Sequence, residues 1–286
     1  MFFLKKFYHW QIAYRKKGFD EFIPIPNPKF GWAADPFVIK YQGEIYLFAE
    51  IFLYKSERNG VIGYCKYKNN KFSEWKVTMD KHWHLSYPFV FIQEEKLYMC
   101  PESIQSEEVS IFELISFPDK WKKVETILCN GKFADSTFFQ YCNENYMFTY
   151  KHKNSLIDGN LYLYKLKKNG GFSVKKISSD LESARPGGKI IYNRDKLIRV
   201  SQNSEKGYGT GLIFSEIDNV WPNYCEHIIK KVYPRDIRIM SKKKYIGIHT
   251  YNSCEDIEVI DLKYTQSSLQ EYIAQKRVRK IFLNKY

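Results

Sequence analysis

Residues 34–50, ADPFVIKYQGEIYLFAE, and residues 86–102, SYPFVFIQEEKLYMCPE, align without a gap. Pro36 falls on Pro88, Phe37 on Phe89, Val38 on Val90, Tyr46 on Tyr98 and Glu50 on Glu102. Residues 134–150, ADSTFFQYCNENYMFTY, keep the same register, with Asp135 on Asp35 and Tyr146 on Tyr46. Two weaker copies follow, RPGGKIIYNRDKLIRVSQ at 185–202 and RDIRIMSKKKYIGIHTY at 235–251. The unit origins therefore lie near 35, 87, 135, 187 and 235. A repeat of about fifty residues marks an array of supersecondary units that bury their faces against one another.

Each copy begins with two apolar runs joined by turn residues, and a third run follows: GVIGYCKY at 60–67, EVSIFEL at 108–114, NLYLYKL at 160–166, GTGLIFSEI at 209–217 and IEVIDLKY at 257–264. Several units add a fourth run with a tryptophan, FSEWKV around Trp75 and DKWKKV around Trp121. Four short strands per unit make a propeller blade. The expected fold class is thus all-β, a five-bladed β-propeller of four-stranded blades over residues 1–264. A two-sheet sandwich would not produce five copies in register. Residues 8–16, YHWQIAYRK, read as a strand that pairs with the last blade and closes the ring, removing its open edge. Residues 265–286 open on a Thr/Ser cap and read as a short C-terminal helix, with Leu269, Tyr272, Ile273, Lys276 and Ile281 near one side.

The 286 residues carry 45 basic and 32 acidic side chains, a formal charge of +13, and 44% are apolar. That supply of apolar residues excludes a disordered chain, and no apolar run approaches the roughly 20 residues of a membrane-spanning helix. The start, MFFLKKFYHW, lacks the long apolar region and cleavage site of a signal peptide, so a cytoplasmic protein is expected. Six cysteines without a CxxC pair read as reduced thiols rather than a zinc site. The lysines are scattered along turns, such as Lys66, Lys68, Lys122, Lys167 and Lys242, in no nucleic-acid motif. Nucleic acid is therefore not an expected partner. The basic stretch holding Lys276, Arg277, Arg279, Lys280 and Lys285 suits peripheral contact with an anionic membrane, where each cation gains about 1 kcal/mol.

In a propeller the first strand of each blade lines the central channel, and antiparallel return brings the end of the second strand beside the start of the first. Asp35, Glu50, Glu102 and Asp135 should then converge on one funnel. His84, Arg185, Arg235 and His249 should stand around it, with Trp32, Tyr87 and Tyr150 offering rings for sugars. Carboxyls sharing a mouth repel, which raises some pKa values and separates acid from base roles. That pattern suits making or breaking a glycosidic bond. Arg185, ahead of Pro186-Gly187-Gly188, reads as a cation on a flexible turn that could hold a carboxylate or phosphate. No DxD-like motif in a strand–turn context is present, and neither metal nor cofactor is expected.

The ordered motifs ADPF, YLFAE, HLSYPFVF, LYMCPES, FADSTFF, SARPGG and GIHTY resemble the propeller domain at the N-terminus of plant glucosamine inositolphosphorylceramide transferase, over residues 30–264. That domain is similar in turn to the five-bladed propellers of glycoside hydrolase family 43. The resemblance implies that Asp35 matches a general base and Asp135 a residue that tunes and orients. The general acid does not carry over: blade four offers Arg185, leaving Glu102 or Glu182 as substitutes. It further implies work in surface-glycan synthesis on a sugar or nucleotide-sugar and a glycan acceptor, at the inner face of a membrane. The function expected is therefore a glycosyltransferase with Asp35, Asp135 and Glu102 catalytic and Glu50, His84, Tyr87, Arg185, Arg235, His249 and Trp32 binding substrate. A glycoside hydrolase and a non-catalytic glycan-binding propeller remain the alternatives.

Overall fold

Two-residue turns with left-handed backbone recur at Gln42-Gly43, Glu94-Glu95 and Cys142-Asn143, each joining the first two strands of a unit. Such turns match the right-handed twist of the strands they connect, so every unit folds locally as the same hairpin. The computed structural model describes residues 6–54, 59–155, 157–167 and 170–267. It contains five sheets arranged as the blades of a propeller.

Blade one comprises Gly31–Tyr41, Glu44–Leu53 and Gly60–Lys68, with a broken outer strand at Lys71–Phe72 and Lys76–Met79. Blade two runs Ser86–Gln93, Lys96–Glu102, Val109–Ser116 and Lys120–Leu128. Blade three runs Phe133–Tyr141, Glu144–Ser155, Asp158–Leu166 and Phe172–Ser178. In blade four a split inner strand, Arg185–Pro186 and Ile191–Asn193, precedes Lys196–Asn203, Gly211–Asn219 and Cys225–Val232.

Alternating side chains fill the seams between blades. Phe37, Phe48 and Tyr64 of blade one meet Phe89, Met99 and Phe112 of blade two. Their neighbours Val38 and Leu47 face the other way, onto Ile12 and Val259 of blade five. The fourth-strand tryptophans pin adjacent blades: Trp121 donates to Thr78 Oγ1 (2.9 Å) and Trp75 to the Pro26 carbonyl (3.1 Å).

Blade five departs from the expected register. Its inner strand is Tyr245–Gly247 and Tyr251–Cys254, so the unit begins near 245 rather than 235. Ile257–Ser267, expected as a third strand, is the second. The N-terminal Lys6–Lys16 pairs with it along its full length, from Lys6 against Ser267 to Lys16 against Ile257, and Glu21–Pro24 forms the fourth strand. The alternating residues near 235 that mimic a strand form a 3-10 turn at Pro234–Asp236 and a short outer strand, Arg238–Ile239, parallel to Glu21–Pro24. Ring closure thus mixes both chain ends in one blade. The last propeller strand continues to Ser267, past the boundary expected at 264, so residues 265–267 of the helix expected over 265–286 are strand, and its remainder, 268–286, lies outside the described residues. No helix among the described residues is long and apolar enough to cross a membrane. All six cysteines are free thiols.

Candidate active site

The three best-conforming repeats share a bulge at the mouth of the channel. Register shifts fall between Ala34 and Phe37, between Ser86 and Phe89, and between Ala134 and Thr137. At each, one non-glycine residue takes a left-handed backbone: Asp35 (φ 51°), Tyr87 (φ 40°) and Asp135 (φ 51°). A bulge re-aims one side chain at the cost of local strain. The second strands return as expected, with Ala34 opposite Glu50 and Ser86 opposite Glu102.

Asp35, Glu50, His84, Glu102, Arg185, His249 and Trp32 line a single cavity of about 160 Å3. Asp135 is buried beside it and binds the Arg185 guanidinium through Nε, while Arg185 Nη2 lies 3.5 Å from Glu102. Burial works against the guanidinium charge, but Asp135, Tyr208 and Glu102 outweigh it and hold Arg185 firmly protonated. Burial raises Glu50 well above the usual carboxyl range, reinforced by Asp35 and Glu102. Glu102 is raised in the same way by burial and by Asp135, despite Arg185. In both glutamates burial and the neighbouring carboxylates favour the protonated form. His84 Nε2 stands 3.4 Å from Glu50, and the His84 amide donates to Gln105 Oε1 (2.7 Å).

Asp35 belongs to a different network. Its carboxylate accepts from Thr250 Oγ1 (2.9 Å) and the Tyr87 amide (3.1 Å), and its own amide donates to Asp261. His249 sits between the two acids, with Nδ1 2.6 Å from Asp261 and Nε2 3.5 Å from Asp35. Burial pulls the imidazole down, but Asp261 and Asp35 together raise its pKa. Burial lifts Asp35 to about 6, with His249 opposing and Asp261 and Asp135 adding. Trp10 stacks on His249 at 3.9 Å between centroids, and Tyr208 meets it edge-on. The ligand atoms of Asp35, His249 and Asp261 lie within 4.8 Å of one another, so a cation could replace the imidazole proton there.

Several expected placements differ. Tyr87 is fully buried beneath the cavity rather than at its wall: its hydroxyl meets Thr137 Oγ1 (2.9 Å) and accepts from the Gly188 amide (2.8 Å). The bulge turns its ring into the blade-one seam, edge-on to Phe37. Arg235 is exposed on the Pro234–Asp236 turn, because the fifth unit begins later in the chain. Glu182, a substitute acid, pairs with Lys231 outside the cavity. Tyr150 is buried and donates to the Ile157 carbonyl (2.9 Å). The Gly187-Gly188 pair serves close packing rather than flexibility. A Cβ on Gly188 (φ 150°) would meet the Tyr251 carbonyl oxygen at 2.0 Å, and one on Gly187 the His249 oxygen at 2.8 Å.

Sequence reasoning missed Asp261, Thr250, Gln202, Trp10 and Tyr208. Asp261 was visible as one of two acids, with Glu258, in the run IEVIDLKY, and Gln202 falls in the register of Glu50 and Glu102. Gln202 holds Asp135 (3.1 Å) and the Pro186 carbonyl (2.8 Å), so blade four places an amide where blades one and two place glutamates. No local signal marks Trp10 or Tyr208.

The solved structures that resemble this chain share its fold. The catalytic domain of a glycoside hydrolase family 62 α-L-arabinofuranosidase from Coprinopsis cinerea superposes with a TM-score of 0.63 at 10% identity, covering 88% of this chain and 97% of that one. An endo-1,4-β-xylanase from Bacteroides thetaiotaomicron gives a TM-score of 0.57 at 12% identity, over 82% and 89% of the two chains. In sequence, glucosamine inositolphosphorylceramide transferase 1 of Arabidopsis thaliana is 28% identical over 228 residues, 78% of this chain and 28% of that protein. The protein of that name in Oryza sativa subsp. indica is 28% identical over 233 residues, 73% of this chain and 31% of its own length. The chain thus spans less than a third of these curated relatives. The model of the family described as "Glucosamine inositolphosphorylceramide transferase 1, N-terminal" matches residues 27–244, and the chain belongs to that family.

Proposed function

We propose that the protein is a carbohydrate-active enzyme of glycan assembly that transfers a sugar to an acceptor within the funnel. The observation that carries this reading is the division of labour among its acids. Asp35 is raised only to about 6, with His249 and Thr250 opposing its burial, whereas burial and neighbouring carboxylates push Glu50 and Glu102 well above the usual carboxyl range. A carboxyl restrained by a neighbouring imidazole, beside carboxyls that burial favours in the protonated form, supplies the base and acid that glycosidic chemistry requires. Asp35 takes the proton from the attacking hydroxyl, and Glu102 protonates or hydrogen-bonds the departing oxygen. Asp135 fixes the Arg185 guanidinium against Glu102, a cation that also suits an anionic leaving group such as a nucleotide phosphate. A cavity of about 160 Å3 takes one terminal unit and leaves the remainder of donor and acceptor outside. The transferase names of the sequence relatives support transfer over release to water. On this reading the donor is a nucleotide-sugar and the work lies at the inner face of a membrane.

Hydrolysis is the second reading, favoured by the same pairing of Asp35 with a glutamate that burial favours in its protonated form. Purified protein should be given nucleotide-activated hexoses and hexosamines with vesicles containing inositolphosphorylceramide, and separately p-nitrophenyl arabinofuranoside and xylopyranoside. Transfer predicts a glycosylated lipid, a stoichiometric free nucleotide, and a loss of about 100-fold or more in rate for Asp35→Asn. Acceptor-independent p-nitrophenol release would replace transfer with hydrolysis. Sugar binding without any turnover would leave only a binding module.

A further inference from the structure

Blade two has a second cavity at the same mouth as the funnel, separated from it by one strand end. Glu102 closes one side of the funnel, and the next residue, Ser103, lines the second cavity; Ser86 and Leu85 divide in the same way. Successive residues of extended chain point to opposite faces, so the two hollows lie on the order of 5–10 Å apart. The second has a volume of about 150 Å3, comparable to that of the funnel. Its walls are apolar and aromatic, with Trp83, Leu85, Pro101 and Phe112. Its polar groups are the hydroxyls of Ser103, Ser106 and Ser110, the Glu108 carboxylate and the ammonium groups of Lys81 and Lys123. Ser103 is 6% exposed, and among the described residues no hydrogen-bond partner reaches its Oγ. Glu108 is already held by Lys123 and by Ser110 Oγ (3.0 Å), and the Lys81 ammonium lies 5.1 Å from the centroid of the Phe112 ring, so cations outnumber carboxylates on this lining.

A buried hydroxyl without a partner costs free energy unless a ligand completes it. An aromatic wall facing hydroxyls and charged hydrogen-bonding groups matches a molecule with apolar ring faces and hydroxyl edges. We propose that the Ser103 cavity is a second saccharide subsite, for one pyranose unit, beside the funnel. The site binds whether or not the funnel performs transfer, so it goes beyond the function proposed above. A glycan lying across Glu102 would place one unit in each hollow.

The test titrates the full chain with methyl α-glucopyranoside, methyl α-mannopyranoside and galacturonic acid, following the Trp83 indole N–H signal by NMR, assigned by its loss in Trp83→Phe. The neutral glycosides should shift that signal saturably, and Ser103→Ala should weaken their binding by about 2- to 10-fold. Asp35→Asn should leave this shift in place, so failure in the funnel and failure here read out separately. The proposal is overturned by an unmoved Trp83 signal, by a response to galacturonic acid alone, or by neutral binding that Ser103→Ala leaves unchanged.

Discussion

Asp35 receives Thr250 Oγ1 and the Tyr87 amide on its carboxylate and faces an imidazole that Asp261 holds from behind. Hydrogen bonds to the ionised form lower a carboxyl pKa, whereas burial raises it; here burial wins, and Asp35 settles at about 6. Thr250→Val keeps the volume and deletes one stabilising donor, so the Asp35 pKa should climb further. If Asp35 is the base, the acidic limb of the pH–rate profile, near 6 in the parent, should move up by roughly half to one unit. A limb that stays in place would remove Asp35 from that role.

At the scale of the element, the bulge decides which side chains become functional. The same left-handed kink aims Asp35 into the funnel and Asp135 at the Arg185 guanidinium beside it, but sends Tyr87 into the floor, where its hydroxyl ties blade two to Thr137 and to Gly188 of blade four. Tyr87→Phe leaves the buried Gly188 amide without its acceptor and should cost about 1–3 kcal/mol in urea unfolding. Sugar affinity in the funnel should change little. A large loss of affinity with unaltered stability would instead return Tyr87 to the binding surface. The register of the hairpins was readable from side-chain alternation, and so were the partners of Glu50 and Glu102. The direction of the Tyr87 ring was not, because a repeat alignment equates backbone positions and not the rotamers that packing selects.

For the whole molecule, the cost of the funnel appears in its pH dependence. Asp35, Glu50 and Glu102 all have folded pKa values above their unfolded ones, so the native state binds more protons than the unfolded chain. The stability they allow is present below about pH 4 and is lost as pH rises through the folded values. Glu50→Gln removes one such acid while keeping its shape. Its melting temperature should exceed the parent's by a few degrees at pH 8, since each pKa unit corresponds to about 1.4 kcal/mol and each kcal/mol to roughly 2 °C or more. The difference should vanish near pH 4. Equal melting curves at pH 8 would mean that Glu50 titrates normally.

The amino-acid order alone determined the blade count, the hairpin register of blades one to three and the gathering of Asp35, Glu50, Glu102 and Asp135. Those follow from local rules: period-two alternation, tight turns and a repeat whose copies must stack. Only the closed ring decided the rest. It drew the third and fourth strands of blade five from the N-terminus, set Asp261 behind Asp35 across 226 residues of chain, and left Arg235 outside. It also brought Trp10 and Tyr208 onto His249. Contacts between distant segments are chosen by which surfaces meet once every blade is buried, and no neighbouring residue carries that information.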